Sequence, residues 1–314
     1  MRYYFAPLEG LTDSIYRRLH HKYFPGVDRY YTPFFSPTVH RALTAREARE
    51  LPAADAIGAE VVPQLLTKVS EDFIWMSGVC KDLGYGEVNL NLGCPSGTVT
   101  AKGKGAGMLR DLDALDAFLY EIFSRSSLPI SVKTRLGFTD PEEFYAILEI
   151  FGRYPIRELT VHPRVRQDFY NGDVNMPLFD YALSHSSAPV CYNGNLNTLS
   201  QIGDFSAAHP DVAAVMLGRG LIGDPGMLTP GGTTADKLEA FLGELFDEYA
   251  IHFGGARNAM FRLKENWRYL FCLFQPDAKL QKRLRKATDL QEYKAVTSAI
   301  LHQLPLKTEL DPDW

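Results

Sequence analysis

Eight short apolar or β-branched runs recur along the first two-thirds of the chain, at residues 3–7, 29–33, 60–66, 87–92, 130–135, 158–162, 189–193 and 213–218. Stretches compatible with helix separate most of them. Strands alternating with helical segments predict βαβ units and a parallel sheet. Eight of them in about 220 residues predict a closed (β/α)8 barrel, a TIM barrel, in preference to an open sheet. The fourth run shows the period most plainly. Asn89 and Asn91 alternate with Val88, Leu90 and Leu92, and the pattern stops at Gly93-Cys94-Pro95. Proline has no N–H to give to a sheet, so the strand ends at or near Cys94.

The pattern changes at Thr229-Pro230-Gly231-Gly232-Thr233-Thr234, a turn-rich linker. Beyond it the β-type runs cease. Residues 236–253 and 257–274 read as amphipathic helices, and 279–286 begins a third. The expected organisation is a barrel over residues 1–234 followed by a small all-helical domain over 235–314.

Composition is that of an ordinary soluble globular protein. No apolar stretch approaches membrane-spanning length, and the first residues lack a signal-peptide layout. The four cysteines (Cys80, Cys94, Cys191, Cys272) are widely spaced with no CxxC pair, so no metal site and no disulfide framework is expected. A reducing, cytoplasmic location and no membrane partner follow as expectations. The net charge of −5 conceals an asymmetry. Residues 257–289 carry nine Lys or Arg against three Asp or Glu, and the remaining chain is correspondingly acidic.

In a barrel of this kind the active site lies where strands end at their C-terminal face. The strand ends present Pro7-Leu8-Glu9-Gly10, Gln64, Asn89 to Cys94, Lys133 with Arg135, His162 with Arg164, Asn193-Gly194-Asn195 and Gly218-Arg219-Gly220. Lys133 stands out as a lysine inside a core strand, next to Val132. A lysine facing the interior is costly unless it meets an anion or an electron-rich ring. Asn193-Gly194 and Gly218-Arg219-Gly220 end the seventh and eighth strands, the usual phosphate cradle of this fold. Gly103-x-Gly105-x-Gly107 lacks the spacing of a dinucleotide motif and reads as a loop.

These residues, in this order and spacing, resemble the dihydrouridine synthases, flavin enzymes that reduce the 5,6 double bond of uridine in tRNA. The resemblance covers nearly the whole chain. It runs through Ala6-Pro7-Leu8-Glu9-Gly10-Leu11-Thr12-Asp13, Gln64, Asn89 to Pro95, Gly103 to Leu109, Val132-Lys133-Thr134-Arg135, His162-Pro163-Arg164, Asn193-Gly194 and Gly218-Arg219-Gly220, then the basic C-terminal helices. It implies that Cys94 is the general acid that protonates uridine carbon 5 after hydride reaches carbon 6. It implies FMN across the barrel mouth. Pro7 and Leu8 would flank the ring, with Gln64, Lys133 and His162 in contact, and Asn193, Gly194, Asn195, Gly218 and Arg219 would hold the phosphate. Asn89, Arg135, Arg164 and Arg166 would face the target base and its backbone. NADPH would reduce the flavin and leave before RNA enters.

A helical wheel supports RNA contact on separate grounds. Arg257, Lys264 and Arg268 fall within about 40° of one another at 3.6 residues per turn, beside an apolar face of Met260, Leu263, Trp267, Leu270 and Phe274. Residues 279–286 add a denser basic cluster, suited to phosphates. A monomer is expected. The chain departs from the family pattern at Leu8, where methionine is common, and at Asn195, where aspartate is frequent. Two enzyme alternatives stay open: a synthase acting on ribosomal RNA, and a flavin dehydrogenase of free pyrimidines of the dihydroorotate or dihydropyrimidine type. An RNA-binding module without catalysis is a third.

Overall fold

Pro63 explains why the barrel has nine strand segments and eight staves. The computed structural model describes residues 1–37, 40–52, 54, 58–310 and 312. Its strands are β1 (Arg2–Phe5), β2 (Arg29–Tyr31), β3 (Glu60–Val62), β4 (Gln64–Leu65), β5 (Val88–Leu92), β6 (Ile130–Gly137), β7 (Leu159–Val165), β8 (Val190–Tyr192) and β9 (Ala214–Leu217). Their hydrogen-bonded order is β3-β2-β1-β9-β8-β7-β6-β5-β4. The two ends of that order are one stretch of chain interrupted only by Pro63, so the sheet closes on itself. Pro63 has no N–H, yet its carbonyl accepts from the Asn89 amide at 2.8 Å. The next amide, Gln64 N, donates to Thr32 Oγ1 at 3.0 Å. The eight apolar runs are therefore the eight staves, and the parallel barrel expected from their spacing is the fold.

The helices are α1 (Ser14–Tyr23), α2 (Ala45–Glu50), α3 (Ser70–Asp82), α4 (Gly97–Thr100), α5 (Leu112–Arg125), α6 (Glu143–Phe151), α7 (Met176–His185), α8 (Leu199–Ala208), α9 (Arg219–Gly223) and the C-terminal set α10 (Ala235–His252), α11 (Ala256–Leu270), α12 (Ala278–Lys286) and α13 (Leu290–Gln303). Short polar residues start many of them. Asp13, Asp111, Asn175, Thr234 and Asp289 each accept from a backbone N–H of the first turn. All five residues of β5 are buried, as a stave covered on both faces requires. Tyr4, Ala6, Tyr31, Val62, Cys191, Ala214 and Met216 form one buried cluster. Among the described residues no helix is long and apolar enough to cross a membrane.

A polar network lies beside that cluster. The Arg29 side chain, 3% exposed, pairs with Glu87 at 3.3 Å and Glu60 at 2.5 Å. Tyr4 Oη donates to Glu158 at 2.7 Å, and burial pushes the Glu158 carboxyl up. Removing the guanidinium would leave Glu87 and Glu158 without their buried cation. Arg29→Ala is expected to lose about 3–5 kcal/mol of stability, read from urea unfolding against wild type. An unchanged midpoint would show that the acids do not depend on it.

The chain divides into two compact units, and each is described by itself. The first comprises Met1–Glu9, Asp28–Asn195 and Ser206–Met216; the second comprises Gly10–Val27, Leu196–Phe205 and Leu217–Trp314. The first contains the staves. The second contains the helices from α10 onward and also α1, which precedes them by some two hundred residues. Aromatic packing explains that membership: Tyr16 and Phe24 meet Phe241 of α10 edge-on, with ring centroids 5.5 and 5.4 Å apart. Lys22 adds an ion pair to Glu244 at 2.6 Å. In the same unit Trp267 Nε1 donates to Tyr293 Oη at 3.2 Å, joining α11 to α13.

Candidate active site

The alternation of β5 turns two asparagines to the same side, and the structure gives them different work. Asn89 is fully buried. Its Oδ1 accepts from Gln64 Nε2 at 2.9 Å and its Nδ2 donates to Ser131 Oγ at 2.9 Å. Asn91, one step nearer the strand's end, donates to Gln64 Oε1 at 2.7 Å. Its Oδ1 accepts from the backbone amides of Gly93 at 3.0 Å and Cys94 at 2.9 Å. Asn89 is therefore a floor residue beneath Gln64, and Asn91 shapes the turn that carries the thiol. The sequence alternation placed both on one face without separating these roles.

Cys94 is partly exposed and unbridged. Burial pushes its thiol up, against the Ser96 amide and the cations Arg135 and Lys133, which pull the other way. The thiol is thus protonated at neutral pH. The glycine-rich loop closes over it. Gly105 has φ +57°, and a side-chain carbon there would sit 3.0 Å from both the Cβ and the carbonyl of Cys94.

Lys133 stands on β6 opposite Asn91 of β5 and Thr160 of β7. Its ammonium has no hydrogen-bond or ion-pair partner among the described residues. Burial, with Arg135 nearby, pushes it down to about 8. Arg135 differs sharply. Its three nitrogens donate to the carbonyls of Gly93 at 2.9 Å, Val165 at 2.9 Å and Phe169 at 2.6 Å, and its guanidinium lies 5.4 Å from the Tyr170 ring centre.

His162 is neutral: burial, then Arg135, Lys133 and Arg164, hold it well below its ordinary range. Arg164 Nη1 lies 3.2 Å from His162 Nε2 and can only donate. Nε2 therefore accepts, and Nδ1 carries the proton toward Asn193 Oδ1 at 3.4 Å. Asn193 Nδ2 donates to the Met216 carbonyl at 2.8 Å, which fixes the amide in the matching orientation. Arg164 also donates to the carbonyls of Asn171 and Gly172 and to Asn195 Oδ1. Arg166 lies 4.9 and 5.4 Å from the ring centres of Phe169 and Phe138 and donates to Thr100 Oγ1 at 3.3 Å. Thus Gln64, Cys94, Arg135, His162, Arg164, Asn193 and Asn195 make the contacts just described at the strand ends of the first unit, and Lys133 stands in the same sheet between Asn91 and Thr160. Pro7 and Leu8 follow β1, half-buried. Gly194 cannot carry a side chain, because a Cβ would fall 2.0 Å from Tyr192 Oη.

The remaining candidates belong to the second unit. Gly218 and Arg219 open α9, and a Cβ on Gly220 would come within 2.9 Å of Asn197 Cα. On α11, Arg257 and Arg268 are exposed. Lys264 is not a free cation. Its ammonium donates to the carbonyls of Arg285 at 2.9 Å and Ala287 at 2.7 Å, satisfying the end of α12. The wheel could not register that tertiary contact. Sequence reasoning also passed over Phe138, Phe169 and Tyr170, whose types carry no signal apart from their neighbours in space.

The dihydrouridine synthase family model matches residues 4–295. A probable tRNA-dihydrouridine synthase 1 of Synechocystis sp. is 28% identical over 229 residues, covering 70% of this chain and 61% of that protein. The tRNA-dihydrouridine(16) synthase of Shigella flexneri is 28% identical over 244 residues, covering 72% of this chain and 74% of that protein. Among solved structures, morphinone reductase in complex with tetrahydroNAD superimposes with a TM-score of 0.50 at 12% identity, covering 72% of this chain and 85% of that one. An old yellow enzyme homologue from Zymomonas mobilis gives 0.51 at 10% identity, covering 71% and 86%. Those two likenesses concern the fold alone. The family match spans the stave that ends in Gly93-Cys94-Pro95, the lysine stave, the histidine stave and most of the C-terminal helices; the chain belongs to the dihydrouridine synthase family.

Proposed function

We propose that this chain reduces the 5,6 double bond of uridine in tRNA to dihydrouridine, with FMN as bound cofactor and NADPH as its reductant. The observation that carries the reading is a protonated Cys94 thiol with Lys133, a cation that has no partner among the described residues, at the same strand ends. The residues present fit a flavin. The Lys133 ammonium suits the anionic edge of a reduced isoalloxazine, and neutral His162, partly buried Pro7 and Leu8, and Gln64 suit its ring and carbonyls. Asn193, Gly194 and Asn195 would hold the phosphate, as the family resemblance implies. When bound, FMN supplies the hydride that adds to uridine carbon 6.

The protein's own part is the proton. Cys94 Sγ–H gives its proton to carbon 5, and the thiolate left behind is stabilised by Arg135 and Lys133 until solvent reprotonates it. Asn91 and Gly105 hold the thiol in place. Arg135 donates to three carbonyls, and Arg164 to two carbonyls, His162 and Asn195, so they shape the pocket and leave their charge toward the base. Asn89 acts through Gln64. A uridine stacked in folded RNA cannot reach this site, so it is extruded into it. Residues 1–234 carry the chemistry, and Arg257, Arg268 and the basic face of α12, within residues 235–314, meet RNA phosphates.

Gly105→Ala is expected to keep wild-type flavin content while cutting uridine reduction about a hundredfold, since a misplacement of about 1 Å at a reacting group costs that much. Flavin absorbance and dihydrouridine yield measured on one preparation check it; full activity would show that the loop yields. The reading as a whole is tested by the absorption spectrum of the purified protein, then by anaerobic mixing of its NADPH-reduced form with unmodified tRNA. Reoxidation by tRNA and not by free uracil or orotate supports it. Reoxidation by the free pyrimidine moves the activity to the small-molecule dehydrogenases, and reoxidation only by ribosomal RNA moves the substrate.

A further inference from the structure

Phe169 combines a strained backbone with an exposed ring. Its φ of 51° and ψ of −100° lie where a bulky residue is rarely found. Such a conformation persists when surrounding bonds over-determine it, and it points from strain toward function. The bonds are present. The Phe169 carbonyl accepts from Arg135 at 2.6 Å. Its amide donates to the Arg166 carbonyl at 3.2 Å, and the Asn171 amide donates to the Asp168 carbonyl at 2.8 Å. The Asp168 carboxylate accepts from the Val165 amide at 2.9 Å. This turn leaves the Phe169 side chain 40% exposed.

Behind that ring runs an alternating ladder of cations and aromatics. Arg110 lies 4.7 Å from the Phe138 ring centre, Arg166 lies 5.4 Å from the same ring, and Arg166 lies 4.9 Å from the Phe169 ring. Arg166 also reaches Thr100 in α4, which follows Cys94 closely in the chain. The ladder therefore ends on an aromatic face that is backed by a cation and open to solvent. It ends close to the chemistry: one guanidinium, that of Arg135, holds both the Gly93 carbonyl next to Cys94 and the Phe169 carbonyl.

A uridine drawn out of its stack leaves its neighbour with an uncovered face. We propose that the Phe169 ring is the stacking platform for the nucleobase next to the target uridine. This rests on the RNA substrate proposed above and adds a contact to a second nucleotide. The contact tolerates any base, because every base has a π-face. Arg166 holds the ring from behind, so little side-chain freedom is lost on stacking.

The test uses the flavin-loaded full chain and tRNA transcripts in which either nucleotide flanking the target is made abasic. Phe169→Ala is expected to raise KM for intact tRNA about tenfold, with kcat and flavin absorbance unchanged. Phe169→Tyr is expected to keep the wild-type KM. Phe169→Gly relieves the backbone strain but removes the ring, so it should match the alanine variant. In wild type, one of the two abasic transcripts should show the same rise in KM, and Phe169→Ala should add nothing to it. A wild-type KM in Phe169→Ala, or losses that add, overturns the platform while leaving tRNA reduction standing. A wild-type protein that does not turn over intact tRNA overturns both readings.

Discussion

With Cys94 replaced by alanine, the protein is expected to keep its flavin and still oxidise NADPH with oxygen as acceptor, while uridine reduction falls about 10²- to 10⁴-fold, the contribution of a positioned general acid. The expectation rests on how few groups at the strand ends can give up a proton. His162 is neutral, with Nε2 accepting from Arg164 and Nδ1–H directed at Asn193. Arg135 is committed to three carbonyls. Lys133 is the competitor, because its ammonium is held near 8. Anaerobic reoxidation of the reduced flavin by tRNA, followed over pH, separates the two. In wild type, burial keeps the Cys94 thiol above the usual thiol range, so the rate should hold through neutral pH and fall only as the medium becomes alkaline. A Cys94→Ala protein with wild-type activity would remove the acid from Cys94. Residual activity that disappears through pH 8 would assign it to Lys133.

Lys133→Met should have opposite effects on the protein with and without flavin. Without it, Lys133 is a partly buried cation with no partner among the described residues, held at about 8 against an ordinary value near 10.4. Between these two values the unfolded chain binds more protons than the folded one, so this group's contribution to stability rises with pH. The deficit is fully present below pH 8 and is relieved as pH climbs toward the unfolded value. Methionine removes it. The flavin-free variant is expected to be more stable than wild type at pH 7 by about 2–3 kcal/mol, with the difference closing toward pH 10. Flavin affinity should move the other way. It should drop in the variant, and in wild type it should weaken as pH passes 8 and the ammonium is lost. Urea unfolding and flavin titration across pH read both effects. A variant that binds flavin as tightly as wild type would deny Lys133 its partner.

The staves were legible because burial on both faces makes them near-continuous apolar runs, and residues 60–66 were readable as one stave even though Pro63 divides its hydrogen bonding. The candidates at the strand ends were legible for a related reason, since polar residues in apolar runs are conspicuous. What such residues do there was less accessible. Asn89 and Asn91 are indistinguishable by period, and only the register with Gln64, Ser131 and Lys133 separates floor from turn. Lys264 sits correctly on its helical stripe, yet α12 captures it through carbonyls that have no sequence signature. Phe169 gave no warning, because its backbone conformation is imposed by Arg135, thirty-four positions earlier.

The three-way grip of Arg135 also has a consequence for motion. The turn bearing Cys94 and the turn bearing Phe169 follow different staves, and separate loops would ordinarily fluctuate on separate clocks. Here each must break a bond to the same planar group before it can depart, and a guanidinium that swings to follow one carbonyl strains its bonds to the others. Opening either turn therefore costs a bond to the one guanidinium that also holds the other. The position of the Cys94 thiol and that of the Phe169 ring thus depend on one side chain.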